Sequence, residues 1–369
     1  MDISSLKLKL RYRSKKIACY PKDKVKFFFE KKFSKIYFLS DNAGWAADRT
    51  TNSIYEMAIS KGFKCDKTIN HPKNQFVFYG DQFSLLTKNI FKNNNIISFD
   101  YEHGLPKYSE THRKLLDVIL KNQDKIHLIR VTNSFFKNFL ISSGVKSEKI
   151  MQIPLTVNNI FKKYKESETL DFKKFYGLPN NKFIIGSFHK DGDGFGQGMN
   201  PKYIKAPDVF LKSLKLIKQN VKNLFVLLTA PARGYVKKGL DELGIEYKHF
   251  ESVDFRKLPE LYNCLDLYLI SSREEGGPTG MFEAMACGIP VVTTKVGQAY
   301  DSIFDGKNGF LVDVEDYKKL AECVNIIHKD NLINKKFIQE SLTEASKQTS
   351  FHHKFLWEIF FKKLQGFNL

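Results

Sequence analysis

Two successive series of short, unbroken apolar runs constrain this chain more than any other feature of its sequence. The first series is residues 35–40 (KIYFLS), 75–79 (QFVFY), 95–99 (NIISF) and 126–131 (IHLIRV). The second is residues 183–187 (FIIGS), 224–229 (LFVLLT), 265–271 (LDLYLIS) and 290–294 (PVVTT). Runs this short and without polar alternation fit strands covered on both faces, which is the habit of parallel sheets. Longer stretches of helical character separate them: residues 52–61, 112–122 and 134–142 in the first half, the last stopped by Gly144, and residues 207–219, 258–263 and 279–287 in the second. Strand alternating with helix predicts α/β domains built on parallel, doubly wound sheets. At 369 residues the chain exceeds what one hydrophobic core usually serves, so two such domains are expected. Their predicted bounds are residues 1–160 and 182–349, joined across a polar, lysine-rich stretch with a linker at 161–181. Ligands of such sheets bind beyond the carboxyl ends of the strands, so a cleft between the domains is the expected site.

Composition narrows the class. Hydrophobic residues make up 42% and charged residues 27%, an ordinary globular balance. No apolar run reaches the ~18 residues of a membrane span, and residues 1–16 mix Leu with Lys and Arg rather than forming a signal-peptide core. Cys19, Cys65, Cys264, Cys287 and Cys323 are scattered, without a CxxC pair, which suits a reducing compartment and neither a disulfide framework nor a zinc site. A cytoplasmic location is expected, with peripheral contact at the inner membrane face left open. The formal charge of +19 fits nucleic acid, anionic membrane or phosphorylated substrates. It fits equally a chain rich in Lys, Asn, Ile and Phe, as AT-rich coding sequence favours. No RNP-like motif, zinc finger or Arg-rich arm is present, so no nucleic-acid partner is expected.

The stretch from Ser271 to Gln298, SSREEGGPTGMFEAMACGIPVVTTKVGQ, carries the chemistry. A strand ends near Ser271, Gly276 and Gly277 permit an unusual turn, and Pro278 suits the start of a helix. Gly288 suits the left-handed position just past its end. A glycine turn feeding a helix N-terminus is favourable for a diphosphate, because free N–H groups and the helix dipole meet there. Glu275 and Glu283 would be repelled by such an anion. Their natural partners are the hydroxyls of a sugar or ribose, against the plain alternative of a helix-start residue and a solvated one.

Glu275-x7-Glu283 followed by AMACGIPVV resembles the E-x7-E signature of retaining GT-B glycosyltransferases of the family 4 type, the glycosyl transferases group 1. The resemblance covers most of the chain and is strongest over about residues 183–312. It implies the GT-B fold, two Rossmann-like doubly wound domains facing a central cleft. The first domain would hold the acceptor, with a C-terminal helix at about 350–366 packing back on it. Phe351, Phe355, Leu356, Ile359, Phe360 and Leu364 give that helix its apolar spacing; lying on a membrane is the other reading. The resemblance places Glu283 on the nucleotide ribose and Glu275 beside the donor sugar. The backbone of Gly276, Gly277 and Thr279 would meet sugar or phosphate.

The family sets a basic pair on the diphosphate, written G-R-x-x-x-x-K-G. Here Gly186-Ser187-Phe188 precedes a glycine-rich insertion and then Lys205. Lys205 matches the family lysine, Ser187 is counted among the donor-binding residues, and Lys190 is the candidate for the absent arginine. Asp191-Gly192-Asp193-Gly194 looks like a D-x-D metal motif, yet it follows no strand of the appropriate fold, and Phe195 spoils an EF-hand reading. No metal or other cofactor is expected. Gly44, in the loop after the first strand, and His103, after the strand ending at Phe99, occupy positions that the family uses near donor phosphate and donor sugar. Trp45 beside Gly44 reads as a sugar platform or as core. The implied reaction is retaining transfer of a sugar from a nucleoside diphosphate sugar, UDP- or GDP-linked, to a glycan, glycolipid or other hydroxyl acceptor in cell-surface assembly. The alternatives are an inverting transferase, a GT-B sugar-nucleotide epimerase, and a catalytically inactive nucleotide-sugar-binding subunit of a glycan assembly complex.

Overall fold

The computed structural model describes residues 32–39, 46–68, 72–87, 90–194 and 196–366. The chain divides into two compact units. One comprises the chain up to Val131, Lys137–Ile153 and the residues from Lys354 onward; the other comprises Thr132–Phe136 and Pro154–His353. Among the described residues no helix is long and apolar enough to cross a membrane.

The first unit is built on β1 (Ile36–Leu39), α1 (Ala46–Ser60), β2 (Cys65–Thr68), β3 (Phe76–Tyr79), β4 (Ile96–Tyr101), α2 (Glu110–Lys121), β5 (Ile126–Val131), α3 (Ser134–Ser142) and β6 (Ile150–Gln152). Its six strands are all parallel, in the order β2-β1-β3-β4-β5-β6. Every residue of β1 and β3 is buried, as a sheet covered on both faces requires. Strand β4 runs two residues beyond the apolar run that announced it. It continues through Asp100 because Arg130 of β5 meets that carboxylate at 2.6 Å, both side chains 1% exposed. The Arg130 Nε also donates to the Ile153 carbonyl at 2.7 Å, so the buried guanidinium is held at both ends.

The second unit contains α4 (Glu166–Phe175), β7 (Phe183–Ser187), α5 (Pro207–Asn220), β8 (Leu224–Thr229), α6 (Gly234–Leu243), β9 (Glu246–Phe250), α7 (Leu258–Asn263), β10 (Leu267–Ile270), α8 (Thr279–Ala286), β11 (Val291–Thr294), α9 (Ala299–Ser302), β12 (Phe310–Val312), α10 (Tyr317–Lys329) and α11 (Asn331–Lys347). Its strands are also all parallel, in the order β12-β11-β10-β7-β8-β9. Successive strand residues divide between two cores. Ile185, Val226, Leu228, Leu267 and Leu269 point to one, and Ile184, Phe225, Leu227, Tyr268 and Ile270 to the other. Both faces are apolar, so the runs show no alternation.

Two stretches differ from the sequence expectation. Residues 161–181, read as a linker, contain α4, and Phe161 and Leu178 are buried in the second unit's core. The polar surface of this short helix hides its periodicity. The C-terminal helix α12 (Ser350–Leu364) buries Trp357, Phe360, Phe361 and Leu364 against Ile36, Phe38 and Phe78 of the first unit. Phe351 and Phe355, counted in its apolar spacing, are instead 79% and 68% exposed.

Candidate functional site

In the second sheet β7 and β10 are neighbours without being consecutive, and the chain winds outward from them in opposite directions. Such a switch point opens a crevice at the carboxyl ends of the two strands. The connections leaving β7 and β10 are tied together there. The Arg273 and Glu274 N–H groups donate to the Ile204 carbonyl at 2.8 and 3.2 Å, and the Ser271 hydroxyl donates to the Ala206 carbonyl at 3.2 Å. Arg273 forks onto Asp208 at 2.9 and 2.8 Å, lies over the Tyr203 ring and pairs with Glu315. This backbone register brings Lys205 to Glu275: the ammonium lies 2.6 Å from both carboxylate oxygens. Ser272 Oγ donates to Glu275 Oε1 at 2.8 Å.

Pro278 stands at the N-cap, with α8 beginning at Thr279, and Gly288 adopts φ +70° just beyond the helix. Glu283, half-buried on that helix, accepts a hydrogen bond from the Tyr262 hydroxyl at 2.7 Å. Tyr262 is fully buried, its ring centroid 4.7 Å from Phe188 and 5.4 Å from Tyr268. Burial, and then the neighbouring Glu283, hold its phenol well above the usual range, so it stays a donor. The glycine turn is braced from two sides. The Gly276 carbonyl accepts from Thr132 Oγ1 at 2.6 Å and from Asn133 Nδ2. Gly297, at φ +47°, passes so close that a Cβ would lie 2.4 Å from the Glu275 carbonyl oxygen.

The insertion after β7 folds back as a hairpin whose stem pairs Asp193 N with Asn200 O at 2.9 Å and Lys202 N with Asp191 O at 2.7 Å. Arg233, fully buried, pins its base. One guanidinium nitrogen donates to the carbonyls of Ser187, His189 and Thr229, the other to Ser187 Oγ, and Nε lies 3.0 Å from Asp191. Ser187 therefore presents its hydroxyl to Arg233. Lys190 donates to the Gly194 carbonyl within the insertion. Asp191 is an ion-pair partner, and among the described residues no group of three or more His, Cys, Asp or Glu stands ready to hold a metal.

The second unit thus brings together Glu275, Lys205, Gly276, Gly277, Thr279, Glu283 and Ser187. His103 lies in the first unit, after β4, its ring 5.7 Å from that of His112. Its carbonyl accepts from Gln82 Nε2, while Gln82 Oε1 accepts from the Glu102 N–H at 2.8 Å, so one buried amide brackets the loop. Gly44 and Trp45 lie outside the described residues. Tyr262, Arg233, Arg273 and Gln82 escaped the sequence reading. Tyr262 lies in residues 258–263, read only as a helix, and the others show their partners only after folding.

Residues 195–330 match the family model for Glycosyl transferases group 1. The capsular polysaccharide biosynthesis glycosyltransferase CapM of Staphylococcus aureus is 23% identical over 247 residues, 63% of this chain and 59% of CapM. The matched region is thus under two thirds of that relative's length. Among solved structures, Anabaena HepE in complex with UDP and glucose superposes with a TM-score of 0.71 at 18% identity, over 90% of this chain and 99% of HepE. Sucrose-phosphate synthase from Thermosynechococcus elongatus gives 0.73 at 14%, over 92% and 100%. These neighbours, with the two parallel six-stranded sheets, define the GT-B fold. The matching family model and the curated relative are both of glycosyltransferases.

Proposed function

We propose that the chain transfers a sugar, with retention at the anomeric carbon, from a nucleoside diphosphate sugar to an acceptor hydroxyl. The observation that carries this reading is the arrangement at the β7/β10 switch point: Lys205 paired with Glu275, and Glu283 aimed by Tyr262, on either side of a glycine turn that opens α8. A carboxylate oriented by a buried phenol is suited to accept from a ribose diol. Lys205, released from Glu275 by a bound donor, neutralises the departing diphosphate, and Glu275 then accepts from the donor sugar's hydroxyls. The N–H groups at the start of α8 add a fixed field of the same sign. In retaining transfer without a protein nucleophile, the leaving phosphate oxygen takes the acceptor proton as the new C–O bond forms on the same face. The protein contributes position and charge, and exclusion of water. We assign His103 to the donor sugar, and Gly44 to its phosphate, on the family resemblance. HepE, crystallised with UDP, and CapM, named for capsular polysaccharide, favour a UDP-sugar donor and a cell-surface glycan or glycolipid acceptor.

Calorimetry without added metal tests the donor site: UDP, GDP, ADP and CDP are titrated into the full chain and into Glu283→Ala. One nucleotide is expected to bind in the micromolar range and to lose at least about 100-fold in the variant, since two hydrogen bonds to a charged group are removed. Equal binding by both proteins would remove Glu283 from the ribose. With the base known, product anomer analysis on a sugar-donor panel decides retention.

A further inference from the structure

Five cationic or potentially cationic side chains gather at the carboxyl end of β7: His189, Lys190, Lys202, Lys205 and Arg233. Their partners differ. Arg233 is consumed by the Ser187, His189 and Thr229 carbonyls, by Ser187 Oγ and by Asp191. Lys205 is shared with both oxygens of Glu275. Lys190 bonds the Gly194 carbonyl of its own loop. His189 is kept neutral, held well below its usual range first by burial and then by Arg233, Lys205 and Lys202. The N-terminus of α6 is closed too, because Gly234 N and Tyr235 N donate to the carbonyls of Gln197 and Gly198 at 2.7 and 3.0 Å.

Of the four lysine and arginine side chains, Lys202 alone makes no side-chain hydrogen bond or ion pair to a described residue. It is half-buried, at the last rung of the hairpin, and the turn that follows (Lys205 N to Lys202 O, 2.9 Å) sets it one tight turn from Lys205. Burial, and then Lys205, lower its affinity for a proton, while Glu275 and Asp193 act on it only at a distance. A half-buried ammonium next to a second ammonium and short of a counter-charge is an unfavourable arrangement that an incoming anion relieves.

We propose that Lys202 is the second cation on the donor's diphosphate, supplied by the hairpin where the chain has no arginine after β7, with Lys190 serving the loop instead. This rests on the nucleotide-sugar reading given above. The hairpin is then the carrier of a binding group: Arg233 and the Asp191 carbonyl fix its base, and the fixed base aims Lys202 at the crevice beside Lys205.

The test is calorimetric titration of UDP, UMP and uridine into the full chain, Lys202→Ala, Lys202→Arg and Lys190→Ala, with the guanosine series substituted if GDP is the nucleotide bound. Lys202→Ala is expected to weaken the diphosphate by about tenfold or more, the monophosphate less and the nucleoside not at all, as one charge-assisted contact would. Lys202→Arg should recover most of the loss, and Lys190→Ala should stay within about threefold of the parent protein. Unchanged UDP binding by Lys202→Ala overturns the proposal. So does an equal loss of UDP and uridine, which would show a collapsed pocket, or a loss carried by Lys190→Ala instead. Failure of the parent protein to bind any nucleotide would defeat the nucleotide-sugar reading itself, and the proposal with it.

Discussion

Tyr262→Phe removes a single oxygen atom, and the structure fixes what that atom does. It donates at 2.7 Å to Glu283 from a fully buried ring and also meets the Tyr268 phenol, while the ring packing of Phe188, Tyr262 and Tyr268 is kept by phenylalanine. A hydrogen bond to a carboxylate contributes about 1.5–3 kcal/mol. Glu283 is half-buried and water replaces part of the lost bond, so a stability loss of about 1–2 kcal/mol is expected from urea unfolding. The effect on ligand follows from order. With its phenol partner gone, part of the ordering of the Glu283 side chain falls to the nucleotide, which costs up to about 0.5–1.5 kcal/mol, or roughly 2- to 12-fold in affinity. Glu283→Ala should cost far more affinity and should also strand the Tyr262 hydroxyl, at about 1–3 kcal/mol of stability. In the double variant the Tyr262 change should matter little, giving a coupling near 1 kcal/mol in both measurements. The assay is nucleotide calorimetry beside urea denaturation of the four proteins. If Tyr262→Phe leaves affinity and stability unchanged, or if the two substitutions simply add, Tyr262 does not orient Glu283.

Three further outcomes follow from other contacts. Gly297→Ala should weaken nucleotide binding by about tenfold or more and lower stability by about 2 kcal/mol, because its Cβ would drive into the Glu275 and Gly276 carbonyls at a strained φ; an unchanged urea midpoint would refute this. Burial pushes the Asp191 carboxyl up from 3.8 to about 6 against the pull of Arg233. The folded chain therefore holds this proton more tightly than the unfolded one, and its stabilising contribution, full below about pH 4, is lost as the pH rises through about 6. Measured against Asp191→Asn, the parent protein should lose roughly 2–3 kcal/mol of relative stability across that window, and a flat difference would contradict the assignment. Gln82→Ala frees the loop of Glu102 and His103; kcat of sugar transfer should drop about tenfold or more with nucleotide affinity unchanged, and an effect confined to nucleotide affinity would argue against a positioning role.

The interior strands were legible because both their faces are apolar: FIIGS and LFVLLT appear in the sequence as β7 and β8 with the same bounds. The edges were not. β9, EYKHF, has four half-buried residues and an exposed one, and β2, CDKT, is similar, so neither leaves an apolar run to read. Asp100 looked like a strand terminator because its partner, Arg130, is 30 residues away. At the site, Glu275 and Glu283 stood out beside a glycine turn, and Lys205 through its resemblance to the family's basic pair. Lys202 and Arg233 did not, since lysine is common throughout and a buried arginine is distinguishable only by the carbonyls that surround it.

The placement of α12 bears on how the molecule comes to be made. Trp357, Phe360, Phe361 and Leu364 complete the core that Ile36, Phe38 and Phe78 begin, far apart along the chain. A ribosome delivers the first unit's strands before the main body of the second unit and its closing helix after it. The nascent sheet therefore waits with one apolar flank uncovered while the second unit, whose described strands all lie between residues 183 and 312, emerges complete and is free to fold. During that interval the apolar flank is exposed, and a chain ending just after His353 has a finished second unit and a first unit without its closing helix.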